Sequence, residues 1–280
     1  MRIENAEELK ERIAWAISAV SETEDYPESL EALTDLEDEL EYCELQEVKE
    51  EAAERLYEAD AAKPMHPEAA RLLIDIYEDG IESGDAAAMC DLGSLYYTGR
   101  AGEQNYEKAA FYYAMADREG DRQATENLGY IYYYGRTGTK DYEKAFHYFL
   151  KGALDGHLRS LYKIGDFYKN GYYVEKDPKE AYRIYMHCIE QLSDESIPLV
   201  GADVYMRMGD CLYEGTGVER DLLAAQHFMS SAEGMFYQRL IEGDFHQKHN
   251  LEHVLDVLDK IRKEIKEKTL PDLSWAGYDE

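Results

Sequence analysis

Between residues 85 and 233 apolar side chains return at helical spacing, in short runs broken by glycine. Residues 121–156 are the clearest case. Ala124, Leu128, Ile131 and Tyr132 fall at i, i+4, i+7 and i+8, one stripe along a helix. Gly135 ends the run, as a residue that tolerates positive φ should. A short loop, RTGTK, follows, and Asp141 is placed to cap a second helix. Ala145, Tyr148, Phe149 and Ala153 make the buried stripe of that helix, Gly152 permits a close approach, and Gly156 closes the unit. The pattern predicts two helices joined by a loop.

The unit repeats. Gly93, Gly129 and Gly165 stand 36 residues apart, as do Gly99, Gly135 and Gly171, and Gly84, Gly120 and Gly156. A repeat of this length predicts stacked helix pairs. The expected cap lies six residues after each loop glycine, at Asn105, Asp141, Asp177 and Asp221, with Pro178 at a first helical position that suits proline. Gly93, Gly129, Gly165 and Gly209 lie inside the first helices, where glycine costs about 1 kcal/mol relative to alanine. A penalty met four times implies that the second helix crosses closely there. Gly209 follows Gly165 by 44 residues, so eight residues are inserted, around 193–201. The expected organisation is acidic helices over 1–48, a degenerate repeat over 49–84, repeats at 85–120, 121–156, 157–192 and 201–233, a degenerate capping repeat over 234–267 built from MFYQRLIEG and NLEHVLDVLDKIRKEI, and a tail over 268–280.

The pattern A-x-x-x-L-G-x-x-Y-x-x-G, a loop, then D/N-x-x-K-A-x-x-Y/F-x-x-A-x-x-x-G, resembles the Sel-one-like repeat family of the tetratricopeptide-repeat superfamily. ATENLGYIYYYG and DYEKAFHYFLKGALDG fit it closely. The third unit departs at Ile164 and Glu180, and the fourth at Met208, Leu212 and Ala224. The resemblance implies an all-α fold, a right-handed superhelical solenoid of antiparallel helix pairs, acting as an adaptor or scaffold in protein complexes. It implies no reaction and no cofactor.

Composition narrows the partners. Sixty acidic against thirty basic residues give a net charge of −30, and residues 1–60 alone carry −16. Such a surface repels nucleic acid and anionic membranes. No run approaches the ~18 apolar residues of a membrane span, and the N-terminus lacks the regions of a signal peptide. A cytoplasmic chain is expected. Cys43, Cys90, Cys188 and Cys211 follow no CxxC or repeat spacing and read as reduced, packed thiols.

In the family architecture the first helix of each pair lines the concave side. Its non-stripe face holds Asp91, Ser94 and Thr98; Asn127, Tyr130 and Tyr134; Lys163, Asp166 and Asn170; Arg207, Asp210 and Glu214. These are the candidate contacts for a protein or peptide partner, against the alternative of a solvated face with its own ion pairs. Lys163 and Arg207 stand out as bases in an acidic chain, able to meet an acidic group. Seventeen of the 25 tyrosines fall between Tyr96 and Tyr185. Tyr96, Tyr132 and Tyr168 take the repeat's core position, Tyr130 and Tyr134 lie off the stripe, and Tyr172 and Tyr173 make an exposed apolar knob.

Signs of chemistry are faint. Ser160 and Lys163 spell S-x-x-K, a motif that needs partner motifs and another fold. His246, His249 and His253 could place imidazoles on one side of a helix start as a weak metal site, although no second ligand cluster accompanies them. GRTGTK lacks the end of a phosphate loop. A non-catalytic adaptor is the leading expectation. The alternative is an inhibitor or immunity-type protein whose acidic first 60 residues imitate a polyanion and block a basic surface.

Overall fold

A computed structural model describes Lys49, Ala53, Glu54, Leu56, Tyr57, and residues 67–100 and 102–269. The acidic helices expected over 1–48 and the tail from 270 onward lie outside these residues, as does Cys43. Among the described residues the structure is helical without strands. It divides into two compact units, Met1–Ala145 and Phe146–Glu280.

The first unit holds α1 (Pro67–Glu82), α2 (Ala86–Thr98), α3 (Tyr106–Arg118), α4 (Arg122–Tyr134) and the start of α5 (Tyr142–Leu154). The second holds the rest of α5, then α6 (Leu158–Asn170), α7 (Pro178–Glu190), α8 (Ala202–Glu214), α9 (Leu222–Ile241) and α10 (Lys248–Thr269). Neighbours in sequence pack as pairs, α2 with α3, α6 with α7, α8 with α9, and α9 with α10.

The 36-residue period has a backbone cause. Each first helix ends on a left-handed glycine, Gly99, Gly135, Gly171 and Gly215. The next N–H then bonds back to the last turn, as in Arg136 to the Ile131 carbonyl at 2.9 Å and Thr216 to Cys211 at 2.9 Å. The loop returns so that the capping residue of the second helix donates its own N–H to the first helix. Asn105 meets Tyr96, Asp141 meets Tyr132, Asp177 meets Tyr168 and Asp221 meets Leu212, all at 2.9–3.0 Å. The side chains of the same four residues accept from the first turn of the second helix.

Gly93, Gly165 and Gly209 do admit a crossing helix. A Cβ on Gly93 would stand 2.8 Å from the Tyr113 ring, and one on Gly209 2.7 Å from Met229 Cγ. On Gly165 it would overlap Tyr185, and on Gly152 it would lie 2.5 Å from Ser160 Oγ. One turn before Tyr113, Tyr185 and Met229 on the second helices stand alanines with no exposed surface, Ala109, Ala181 and Ala225.

Two expectations change. Leu95, Ile131 and Phe167 are fully buried, and Tyr96, Tyr132 and Tyr168, one position on, are only half-buried. A lysine of the second helix covers two of these rings, Lys108 over Tyr96 at 4.5 Å and Lys144 over Tyr132 at 4.9 Å. That contact is what the motif's lysine does. Where Leu212 replaces the tyrosine, Ala224 replaces the lysine. Second, MFYQRLIEG is no separate helix, because α9 runs unbroken from Leu222 to Ile241 and the expected boundary at 233/234 falls inside it. The insertion ends as a π-helical turn, Ile197–Gly201, which buries Val200 and Gly201 before α8 begins.

Candidate functional site

The twelve predicted contact residues do not share one fate. What decides it is the second-helix residue opposite the internal glycine. Where that residue is a tyrosine, its hydroxyl needs a partner in the interior and the position after the glycine supplies one. Ser94 and the Tyr113 hydroxyl lie 3.1 Å apart, and the Tyr185 hydroxyl donates to Asp166 at 2.7 Å. The fourth repeat has Met229 opposite its glycine, so Asp210 has no hydroxyl to receive.

Asp166 anchors a buried ion cluster in the second unit. Arg207 donates to its two carboxylate oxygens, Nε at 2.7 Å and Nη2 at 2.8 Å. Lys163 Nζ stands 3.4 Å away. Arg207 also bonds the Asp203 carbonyl at 2.9 Å and lies 4.2 Å over the Tyr162 ring. Asp203 pairs with Arg239 at 3.0 Å, and Arg239 with Asp244 at 2.8 Å. The cations hold the Asp166 carboxyl down at about 2 against the pull of burial, and burial lowers Lys163. Lys163 and Arg207, expected to reach for a partner's acid, thus already have one. Asn170 donates to the Asp166 carbonyl at 2.7 Å.

Asp210 and Glu214 look toward neighbouring elements. His253 of α10 meets Asp210 at 2.8 Å, and Lys169 lies 3.9 Å from both acids. The imidazole pKa is raised, first by that hydrogen bond. Among the described residues no three candidate metal ligands gather, so His246 and His249 do not complete a set with His253. The S-x-x-K pair is packing. Ser160 is wholly buried against Gly152, and Lys163 belongs to the ion cluster. The three described cysteines are buried free thiols, and burial pushes Cys188 up to about 12 and Cys211 to about 11.

The first unit presents a different face. On α4, Tyr130 and Tyr134 stack in parallel at 6.1 Å, and Tyr134 is 47% exposed with the Arg136 guanidinium 5.3 Å above it. Asn127 accepts from Gln123 one turn earlier, and Thr98 donates to the Ser94 carbonyl at 2.8 Å. Beside α2 opens a pocket of about 590 Å³, and two of the predicted contact residues, Asp91 and Ser94, line it. Glu54, Asp85, Tyr57 and Tyr77 complete its polar wall above alanine and isoleucine. The Asp91 carboxyl is raised to about 6, by burial first and then by the charges of Asp121, Asp85 and Glu54. Periodicity could not find this pocket, because Glu54 and Tyr57 belong to the stretch where the repeat is worn.

Glycine-punctuated hairpins, capped by Asn or Asp and locked by the same loop bond, are the grammar of one repeat. Four segments, 86–121, 122–157, 158–185 and 202–233, match the Sel1 repeat. The chain belongs to the Sel1-repeat family. A crystal structure of a Sel1 repeat protein from Oxalobacter formigenes is similar over 83% of this chain and 91% of that one, with 20% identity and a TM-score of 0.57. So is the structure of c5321, described as a protective antigen present in uropathogenic Escherichia coli strains displaying an SLR fold. It is similar over 96% of this chain and 55% of that one, with 23% identity and a TM-score of 0.57. At such identities the likeness carries the Sel1 solenoid fold and nothing finer. Among curated proteins none matches the sequence. Sel1 repeats serve in general as protein-interaction scaffolds. No helix among the described residues is long and apolar enough to cross a membrane.

Proposed function

We propose that this Sel1-repeat chain is a non-catalytic adaptor that holds a partner polypeptide along the first-helix face of its first unit. One observation carries the reading. The pocket beside α2 opens on the face that the repeat register singles out, with Asp91 and Ser94 in its wall. The stacked Tyr130 and Tyr134 lie on the corresponding face of α4, and tyrosine gives large contact area at small entropic cost. The matching positions of the second unit are tied into ion pairs, which leaves them a structural part.

The test is photo-cross-linking in the native cell. Benzoylphenylalanine replaces Tyr134 on the first-helix face or Phe111 on the second helix, both exposed. A discrete polypeptide adduct from position 134, absent from 111 and reduced by Tyr130→Ala, supports the adaptor. Adducts from 111 alone, or none, overturn it. Adducts only from probes placed in residues 1–48 favour the acidic mimic instead.

A further inference from the structure

We propose that the pocket beside α2 receives a cationic side chain of the partner polypeptide, an arginine, between the carboxylates of Glu54 and Asp91 and the rings of Tyr57 and Tyr77. This rests on the adaptor reading and names what the first repeat grips.

Charge complementarity argues for the occupant. Glu54, Asp85 and Asp91 all line one pocket, and Asp121 stands near enough to act on Asp91. Asp85 is partly used, since it caps α2 through the Ala87 N–H at 2.8 Å. Burial and the charges of Asp121, Asp85 and Glu54 all disfavour the charged form of Asp91. A site of that kind gains when a cation enters, because a nearby positive charge favours the ionised form of the carboxylates around it.

The aromatic wall argues for arginine over a bare ammonium. A guanidinium stacks flat on tyrosine while its edge meets carboxylates. The chain already stacks a guanidinium on this wall, with Arg100 lying 3.6 Å over the Tyr57 ring. Arg100 also reaches the Tyr57 carbonyl, so it serves to fix that wall. A volume of about 590 Å³ exceeds what one side chain fills, so the partner's flanking backbone enters with it.

The experiment uses the full chain and two probe peptides, Ac-Gly-Gly-Arg-Gly-Gly-amide and its uncharged citrulline counterpart, followed by amide chemical shifts. Saturable shifts at Ala88, Asp91 and Ser94 with the arginine probe, at least fivefold weaker with citrulline, support the proposal. Asp91→Asn should abolish them. Acidification through pH 6 should weaken them as Asp91 takes up a proton in a pocket whose other charged neighbours are Glu54, Asp85, Asp121 and Arg100. Equal response to citrulline, or shifts spread over the acidic surface with no focus at the pocket, overturns it. A lysine probe that outcompetes arginine overturns the stacking argument. If position 134 still cross-links a polypeptide while the pocket ignores the probe, the adaptor stands and this inference falls.

Discussion

Gly165 reverses the usual rule for a helical glycine. In an open helix, glycine to alanine gains about 1 kcal/mol. Here a methyl group would meet the Tyr185 ring, with Cδ1 at 2.9 Å and Cε1 nearer still. That ring cannot retreat, because its hydroxyl is bonded to Asp166 at 2.7 Å. Gly165→Ala should therefore cost about 1–3 kcal/mol by overpacking, read from urea unfolding, and a neutral or stabilising result would refute the close crossing. Asp166 gives a second prediction. Asp166→Asn strips the buried Lys163 and Arg207 of their shared counter-charge, a loss of about 3–5 kcal/mol at neutral pH. The native carboxyl sits at about 2 against an ordinary 3.8, so its contribution is whole above 3.8 and disappears as pH falls through about 2. The gap between wild type and variant should close over that acid window. A gap that stays constant from pH 7 to pH 2 would mean that charge is not what Asp166 supplies.

At the scale of elements, the punctuation of the hairpin was legible in the sequence, although not every core position was. Loop glycine, cap and internal glycine each have one physical job, and the structure places them as the spacing demands. The end of the fourth repeat was not legible. The boundary was expected at 233/234, yet a Cβ on Gly234 would meet nothing within 4 Å, so that glycine marks no close crossing and α9 continues past it. Nor could periodicity see that α10 reaches back to α8 through His253 and Asp210, 43 residues apart. That contact titrates. The imidazole is raised from its ordinary 6.5 by the Asp210 hydrogen bond, opposed by burial and by Lys169, and aided by Asp210 and Asp256 charge. A raised histidine stabilises fully below 6.5, and the contribution fades as pH climbs past its folded value. His253→Gln should lower the melting temperature more at pH 6 than at pH 8.5. An equal loss at both would show that the pair contributes shape and not charge.

For the whole molecule, charge sets the terms on which helices stay packed. Sequence alone gave the excess of acid and the face on which partners were expected, because sign and register are local properties. It could not say which charges were already matched, because matching joins residues far apart in the chain, 41 positions for Arg207 with Asp166 and 44 for Arg220 with Glu264. The structure separates two populations. The cluster around Asp166, with Lys163, Arg207 and Asp203, is largely buried and paired, so salt screens it weakly. The acids on exposed helix faces outnumber their partners, and a net charge of −30 works against compactness. Added salt should screen the second population and spare the first. Raising sodium chloride from about 20 mM to 500 mM, where the screening length falls below ~10 Å, should then raise the melting temperature. The same series on Asp166→Asn should run parallel to wild type, because the cluster lies beyond the reach of screening. A melting temperature that falls with salt would mean that exposed ion pairs outweigh the repulsion, and a variant that converges on wild type would place the Asp166 cluster in contact with solvent.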